Sequence, residues 1–202
     1  MINVKYEAET RPYVMTKRAE ATAATARKIA ESALALFIER PLSQLTLAAV
    51  AECAGVTVQT VLRHFGDWDG VLAGAGTLAS SSVNTLRDAA PVGDLAGAVA
   101  NLAEHYERDA TLSLRVLAEE PNSELIAEAA RRGRDYHRAW CERVFAPYLK
   151  GLGGAERERR LAQFVAVCDV YVYKLLRHDA RLGREAYTRS VIELLEPLTR
   201  RP

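Results

Sequence analysis

Within residues 45–65, LTLAAVAECAGVTVQTVLRHF, two short helical patterns are forced apart by one glycine. Thr46 stands before apolar positions three and four apart (Leu47, Val50, Ala51), the pattern of a capped amphipathic helix. Ala54-Gly55-Val56 then ends that helix, because glycine enters the left-handed region past a helix terminus without a Cβ clash. Thr57 supplies a second capping hydroxyl, and Val61, Leu62 and Phe65 give the next helix an inward stripe. Val58, Gln59, Thr60, Arg63 and His64 fall largely off that stripe, on the side that can face a groove. A helix-turn-helix of this layout places its second helix in the DNA major groove. The plainer alternative is a helical hairpin in some other all-α domain.

The flanks extend the pattern. ATARKIAESALALFIER reads as a long helix with Ile29, Ala33, Leu36 and Phe37 on one face, and GDWDGVLAGAG opens another, with Asp67 as its cap and Val71 and Leu72 turned inward. Residues 1–15 show no helical periodicity and read as a flexible arm. Either it is a tail without a role, or Lys5, Arg11, Lys17 and Arg18 carry it into a minor groove. Beyond the break AAPVGD, Asp94 caps a helix with Leu95, Val99, Leu102 and Tyr106, and a separate short helix is predicted over residues 111–119. A long helix should run from Ser123 through Trp140 to about Leu149, ended by Gly151, Gly153 and Gly154. The next places Leu161, Phe164, Val165, Cys168, Val172, Leu175 and Leu176 on one stripe. The last, residues 184–198, repeats Tyr187, Val191, Leu194 and Leu198 at near-heptad spacing. No strand-like alternation is present, so the fold class is all-α. Two apolar C-terminal helices imply a twofold four-helix interface with a second copy.

Taken together, residues 27–72 resemble the N-terminal domain of the TetR family of transcriptional repressors. The matching residues are the IAESALALF run, Thr46, Val50-Ala51, AGVT at 54–57, Thr60, His64-Phe65 and Leu72. The resemblance implies a three-helix DNA-binding domain over residues 16–66 and a helical effector-binding and dimerisation domain over 67–202. It further implies a homodimer, joined through the two C-terminal helices, that binds a palindromic operator in double-stranded DNA. A small-molecule effector would release it by moving the helix that carries Trp68 and Leu72. By position, Gln59 would read an adenine edge, and Val58 or the Thr60 methyl would pack on a thymine methyl. Thr46, Thr57, Arg63 and His64, with Arg27 and Lys28 at the edge, would hold phosphates and fix the register. Candidate effector-lining residues are the aromatic or polar ones on inward faces: Tyr106, His105, Tyr136, His137, Trp140, Phe164, Cys168 and Tyr171. Plain packing would explain each of them as well. No cofactor is implied.

Three positions depart from the family pattern. Leu62 stands where a phosphate-holding tyrosine is usual, Trp68 where a lysine is usual, and Pro41 where a glycine commonly follows the first helix. The loss of two phosphate anchors should weaken DNA binding and flatten its salt dependence. Charge does not replace them: residues 1–75 hold eight basic and eight acidic side chains, and the whole chain is +1 at pH 7. That balance excludes a non-specific nucleic-acid binder. No apolar run is long enough to span a membrane and no signal peptide leads the chain, so a cytoplasmic protein is expected. Cys53, Cys141 and Cys168 are odd in number and sit inside helical patterns, as packed, reduced thiols would. His137 and Cys141, four apart on one helix, leave open a metal- or thiol-responsive regulator of the same fold. A Cys/His enzyme is the remote alternative, since no third catalytic group is identifiable by spacing.

Overall fold

The computed structural model describes residues 10–200, with side chains from Lys17 onward. Every regular element among them is helical: α1 (Thr10–Glu39), α2 (Leu47–Ala54), α3 (Val58–Phe65), α4 (Trp68–Asp88), α5 (Leu95–Glu119), α6 (Glu124–Val144), α7 (Ala146–Leu149), α8 (Gly154–Val167), α9 (Val170–Tyr173) and α10 (Arg184–Thr199). None of these helices is long and apolar enough to cross a membrane. The chain forms two compact units, the first ending at Leu78 and the second beginning at Ala79, within α4.

In the first unit α1 packs on α2 and α3, and α2 on α3. Ile29, Ala33, Leu36 and Phe37 are buried with Val50, Ala51, Ala54, Val61, Val71 and Leu72, the faces read from the sequence. Helix α1 begins earlier than its pattern indicated. Residues 10–15, expected in a non-helical arm, are helical. The alanine-rich run after them favours helix, and Pro12 lies in the first turn, where its missing N–H has no intrahelical partner to lose. Lys5 and the side chain of Arg11 lie outside the described residues. At the other end Pro41 takes over the stop expected of a glycine: a proline disfavours helical backbone at the residue before it, and here it also leads the 3₁₀ turn Leu42–Gln44.

Four expectations for the second unit are corrected. The segments read as two helices around Tyr106 and Thr111 are one, α5, because nothing between them breaks it: Asp109 turns its carboxylate to His105 and Arg108. The helix from Ser123 ends at Val144, where Pro147 cannot continue it, and restarts as α7 with that proline in its first turn. The 161–176 stripe is interrupted at Cys168. Asp169 is extended (ψ 152) and its carboxylate accepts the Tyr171 N–H at 2.8 Å, starting α9 and then a π turn over Lys174–Asp179. Tyr171 and Leu175, placed inward by an unbroken helix, are therefore exposed, at 53% and 56%. On α10 the buried set is Tyr187, Val191 and Leu195, a regular four-residue step, while Leu194 is 51% exposed. Cys53 is also exposed, where a packed thiol was expected, whereas Cys141 and Cys168 are buried.

The core of this unit is aromatic. Phe145 and Phe164 stack at 4.3 Å, Trp140 meets Phe145 edge-on at 6.0 Å, and Tyr173 lies 5.2 Å from both Tyr106 and Tyr187. Pairs of this geometry add about 0.5–1.5 kcal/mol beyond area burial.

Candidate nucleic-acid interface

Both helix starts in the 45–65 segment are fixed by threonine. Thr46 Oγ1 accepts the Ala49 N–H at 3.1 Å and opens α2. Thr57 Oγ1 accepts the Thr60 N–H at 3.2 Å and opens α3. Between them Gly55 is left-handed (φ 62, ψ 39), with its N–H on the carbonyls of Ala51 and Glu52. Val56 then donates to the Ala51 carbonyl at 2.9 Å, so the freed carbonyls at the end of α2 are answered within the turn.

Val61, fully buried, anchors α3. Two to three residues either way the helix turns outward: Val58 is 38% exposed and Gln59 and Arg63 are exposed, while Thr60 and His64 are half-buried. The first turn of α3 thus offers an amide, a methyl and, one turn on, a guanidinium along one edge. Capping does not disqualify the threonines from holding phosphates. A cap uses an acceptor lone pair and leaves the hydroxyl proton. Thr46 keeps its donor, while the Thr57 and Thr60 hydroxyls bond each other at 3.0 Å, so that one proton of the two remains.

The cations stand at the rim. Lys28 Nζ lies 3.5 Å from where a Cβ on Gly55 would sit, which brings its charge to the turn itself. Arg27 is held by Glu31 at 2.8 Å, with both side chains well exposed. The start of α4 is closed by its own carboxylate: Asp67 Oδ1 accepts the Gly70 N–H at 2.8 Å. Gly70 is required here, since a Cβ would come within 1.9 Å of the Phe65 carbonyl oxygen. Leu62 and Trp68, which stand where phosphate anchors are usual, are both half-buried.

In the second unit, most of the residues proposed to meet an effector form one bonded cluster. Tyr106 donates its hydroxyl to the Cys168 carbonyl at 2.9 Å, and Trp140 its indole N–H to the Arg87 carbonyl at 2.9 Å. Tyr136 donates to Asp88 at 2.8 Å, and burial followed by that carboxylate pushes its pKa up to about 12. His137 Nδ1 faces Arg87 Nη2 at 3.0 Å and its Nε2 the Val165 carbonyl at 3.1 Å. Phe164 is stacked in the core, His105 is buried against Asp109 at 3.2 Å, and Tyr171 stands apart on the surface. The centre of the cluster is a residue the sequence reading passed over. Arg87 is 3% exposed, with its guanidinium 4.3 Å over the Trp140 ring. Its one local signal, a basic side chain in the last turn of a helix, ordinarily marks a solvated end. Among the described residues no group of three or more His, Cys, Asp or Glu is arranged to hold a metal ion.

The chain shares this architecture with solved regulators. A transcriptional regulator from Rhodococcus sp. Rha1 superposes with a TM-score of 0.68 at 21% identity, covering 88% of this chain and 99% of its own. A TetR-family transcriptional regulator from Mesorhizobium loti gives 0.65 at 15% identity, with 88% and 96% covered. The multidrug binding protein EbrR, solved with imidazole, gives 0.57 at 18% identity, with 83% and 88% covered. At these identities the likeness is one of fold. No curated protein sequence matches the chain. The family model for bacterial regulatory proteins of the tetR family matches residues 29–75, which span the end of α1, the helix-turn-helix and the start of α4. Residues 29–75 therefore match a helix-turn-helix DNA-binding domain of the type found in the tetR family of bacterial regulatory proteins.

Proposed function

We propose that the chain is a repressor that binds a near-palindromic operator as a homodimer and is released by a small-molecule effector. The observation that carries the reading is the outer edge of α3, where Val58, Gln59 and Arg63 are exposed beside the fully buried Val61. Gln59 reads an adenine edge, and Val58 or Thr60 packs on a thymine methyl. Thr46, Thr57, Arg63 and His64 bond phosphates, with Lys28 and Arg27 at the rim. The DNA-reading part is residues 16–66 and the effector-binding and dimerising part is 67–202.

Exposed Tyr171, Leu175 and Leu194 supply the apolar surface for a second copy, since large apolar side chains exposed on neighbouring segments mark contact surfaces. A twofold dimer presents two α3 helices and so calls for a palindrome. The effector site is the aromatic interior of the second unit, with Tyr106, Tyr136, His137, Trp140, Phe164 and Cys168 as its lining. EbrR, of the same fold, is a multidrug binding protein by name. An effector that prefers the non-binding state by about 1–3 kcal/mol lowers DNA affinity roughly 5–150-fold.

Selection of binding sites from random duplex DNA, with wild type and Gln59→Ala in parallel, tests the reading. A palindromic motif that loses preference at one base position per half-site in Gln59→Ala, at about 1–3 kcal/mol, is the expected result. No enrichment at low salt, or a motif with a single half-site, overturns it.

A further inference from the structure

Helix α1 is longer than its core requires. Its buried face begins at Ile29 and Ala30, 0% and 4% exposed, yet the helix starts at Thr10. At 1.5 Å per residue, Thr10 lies about 28 Å along the axis from Ile29. Every side chain from Lys17 to Ala24 is exposed, Thr25 and Ala26 are half-buried, and Arg27 and Lys28 are exposed again.

This overhang is not built to dock on protein. Between Lys17 and Lys28 the largest apolar side chain is alanine, so there is no apolar stripe to bury against a neighbour or a second copy. Thr22 and Thr25 turn their hydroxyls back onto the carbonyls of Arg18 and Ala21, at 2.8 and 2.9 Å, and spend their donors inside the helix. What faces outward is charge: Lys17, Arg18, Arg27 and Lys28 against Glu20. Residues 29–78 reverse the ratio, with Arg40 and Arg63 against five acids. The even balance of the domain therefore hides a basic end.

Lys17, Ala21, Ala24 and Lys28 follow one another at helical spacing and share one edge of α1. At one end that edge meets the helix-turn-helix. Lys28 Nζ lies 3.5 Å from where a Gly55 Cβ would sit, at the turn that leads into α3. Lys17 continues the edge about 16 Å further on, with only alanine between, and Arg18 stands beside it. One strand of a DNA duplex presents a phosphate every 3.4 Å of axis, so the edge spans about five of them. A helix about 10–12 Å across does not enter a minor groove about 6 Å wide. The overhang is thus no minor-groove arm, and a row of cations without apolar partners matches phosphate.

We propose that the overhang of α1 is a phosphate-tracking helix. Lys28 holds the backbone at the turn, and Lys17 and Arg18 hold the same duplex about five phosphates beyond it, outside the bases that α3 reads. The inference rests on the DNA-reading role given above to residues 16–66 and adds a flank to it. Its contribution is attraction common to all sequences, which the rim of the turn supplies poorly, with Arg27 paired to Glu31. A helix with no packed face is marginal in water, so the duplex that it holds also steadies it.

The test is Lys17→Ala with Arg18→Ala in the full chain, on a random-sequence duplex and on the operator recovered by selection. Alanine favours helix, so lost binding is not a lost helix, and circular dichroism checks this. On both duplexes the slope of log affinity against log salt should flatten by about 1.8 per bound chain, about 0.9 for each lost contact. Lys17→Arg with Arg18→Lys should restore it, and base preference should stay that of the wild type. Amide exchange over residues 17–26 should slow roughly tenfold when duplex is added. A wild-type slope in the alanine pair overturns the proposal, as does exchange at 17–26 that duplex leaves unchanged. Failure to select an operator overturns the regulatory reading alone, because the random duplex still reports the slope. No binding of wild type to either duplex at low salt overturns both.

Discussion

Replacing Gly55 tests the turn on which the DNA-reading helix depends, and the structure fixes the sign of the effect. At φ 62, ψ 39 the residue is left-handed, and a Cβ there meets only Lys28 Nζ, at 3.5 Å, an ordinary contact with the end of a flexible side chain. Gly55→Ala therefore creates no clash, and its cost is the backbone term alone, about 1–2 kcal/mol for an L-residue in this region. Asn should cost less, because its short side chain tolerates the conformation, and Val more, because a branched Cβ is an outlier there. The order of stability should be Gly, Asn, Ala, Val. The assay is urea denaturation followed by Trp68 fluorescence in a Trp140→Phe background, so that the signal comes from the first unit, with midpoints compared at constant slope. Were the turn any ordinary right-handed loop, Gly55→Ala would stabilise by about 0.4–1 kcal/mol through the unfolded chain. A stabilising alanine therefore refutes the assigned geometry outright, and no contact argument can rescue it.

Other consequences are as direct. Phe164→Ala removes a fully buried ring stacked at 4.3 Å on Phe145 and should cost about 3–5 kcal/mol in thermal or urea unfolding of the second unit. Leu175→Asp with Leu194→Asp changes side chains more than half exposed in the single chain; sedimentation should show monomer in place of dimer with little loss of helix content. His105 has its pKa lowered chiefly by burial, so the unfolded chain binds the extra proton between the folded pKa and 6.5. Stability should be held above pH 6.5 and fall as the pH drops below it, and His105→Gln should flatten that slope.

What the sequence made legible is what it encodes within a few residues. Thr46, Thr57, Asp67 and Asp94 each cap the helix start they precede, and Gly55 is left-handed where the pattern requires it. The inward face of α1 needed only apolar spacing. What stayed hidden depends on groups far apart in the chain. An apolar run over residues 161–176 cannot reveal that Asp169 will take the Tyr171 N–H and end the helix, because one aspartate in a helical pattern reads equally well as surface. Leu194 and Leu195 are both plausible core residues by composition, and only the helix phase set by Tyr187 and Val191 decides between them. Arg87 is the extreme case: its burial is fixed by Trp140 and His137 on α6, about fifty residues along the chain.

The same separation of local from assembled properties bears on how a neutral domain can grip DNA. Local clustering of cations offers little, since Arg27 shares its charge with Glu31 and the start of α4 is occupied by Asp67, a carboxylate where a phosphate would otherwise dock on free N–H groups. What the fold assembles instead is a set of hydroxyl donors at two helix starts, Thr46 and the Thr57–Thr60 pair, with Lys28 at the turn and Arg63 one turn on. Hydroxyl bonds to phosphate fix register without releasing counterions, so such a surface contributes orientation more than non-specific attraction. In the proposed reading, discrimination rests on the groups placed to reach base edges, Gln59 and Val58, and on a second copy presenting them at a fixed spacing. On this reading, Trp68 in place of the usual lysine weakens attraction to every sequence alike and leaves the difference between right and wrong sites intact, while Leu62 in place of the usual tyrosine removes a contact that fixes register.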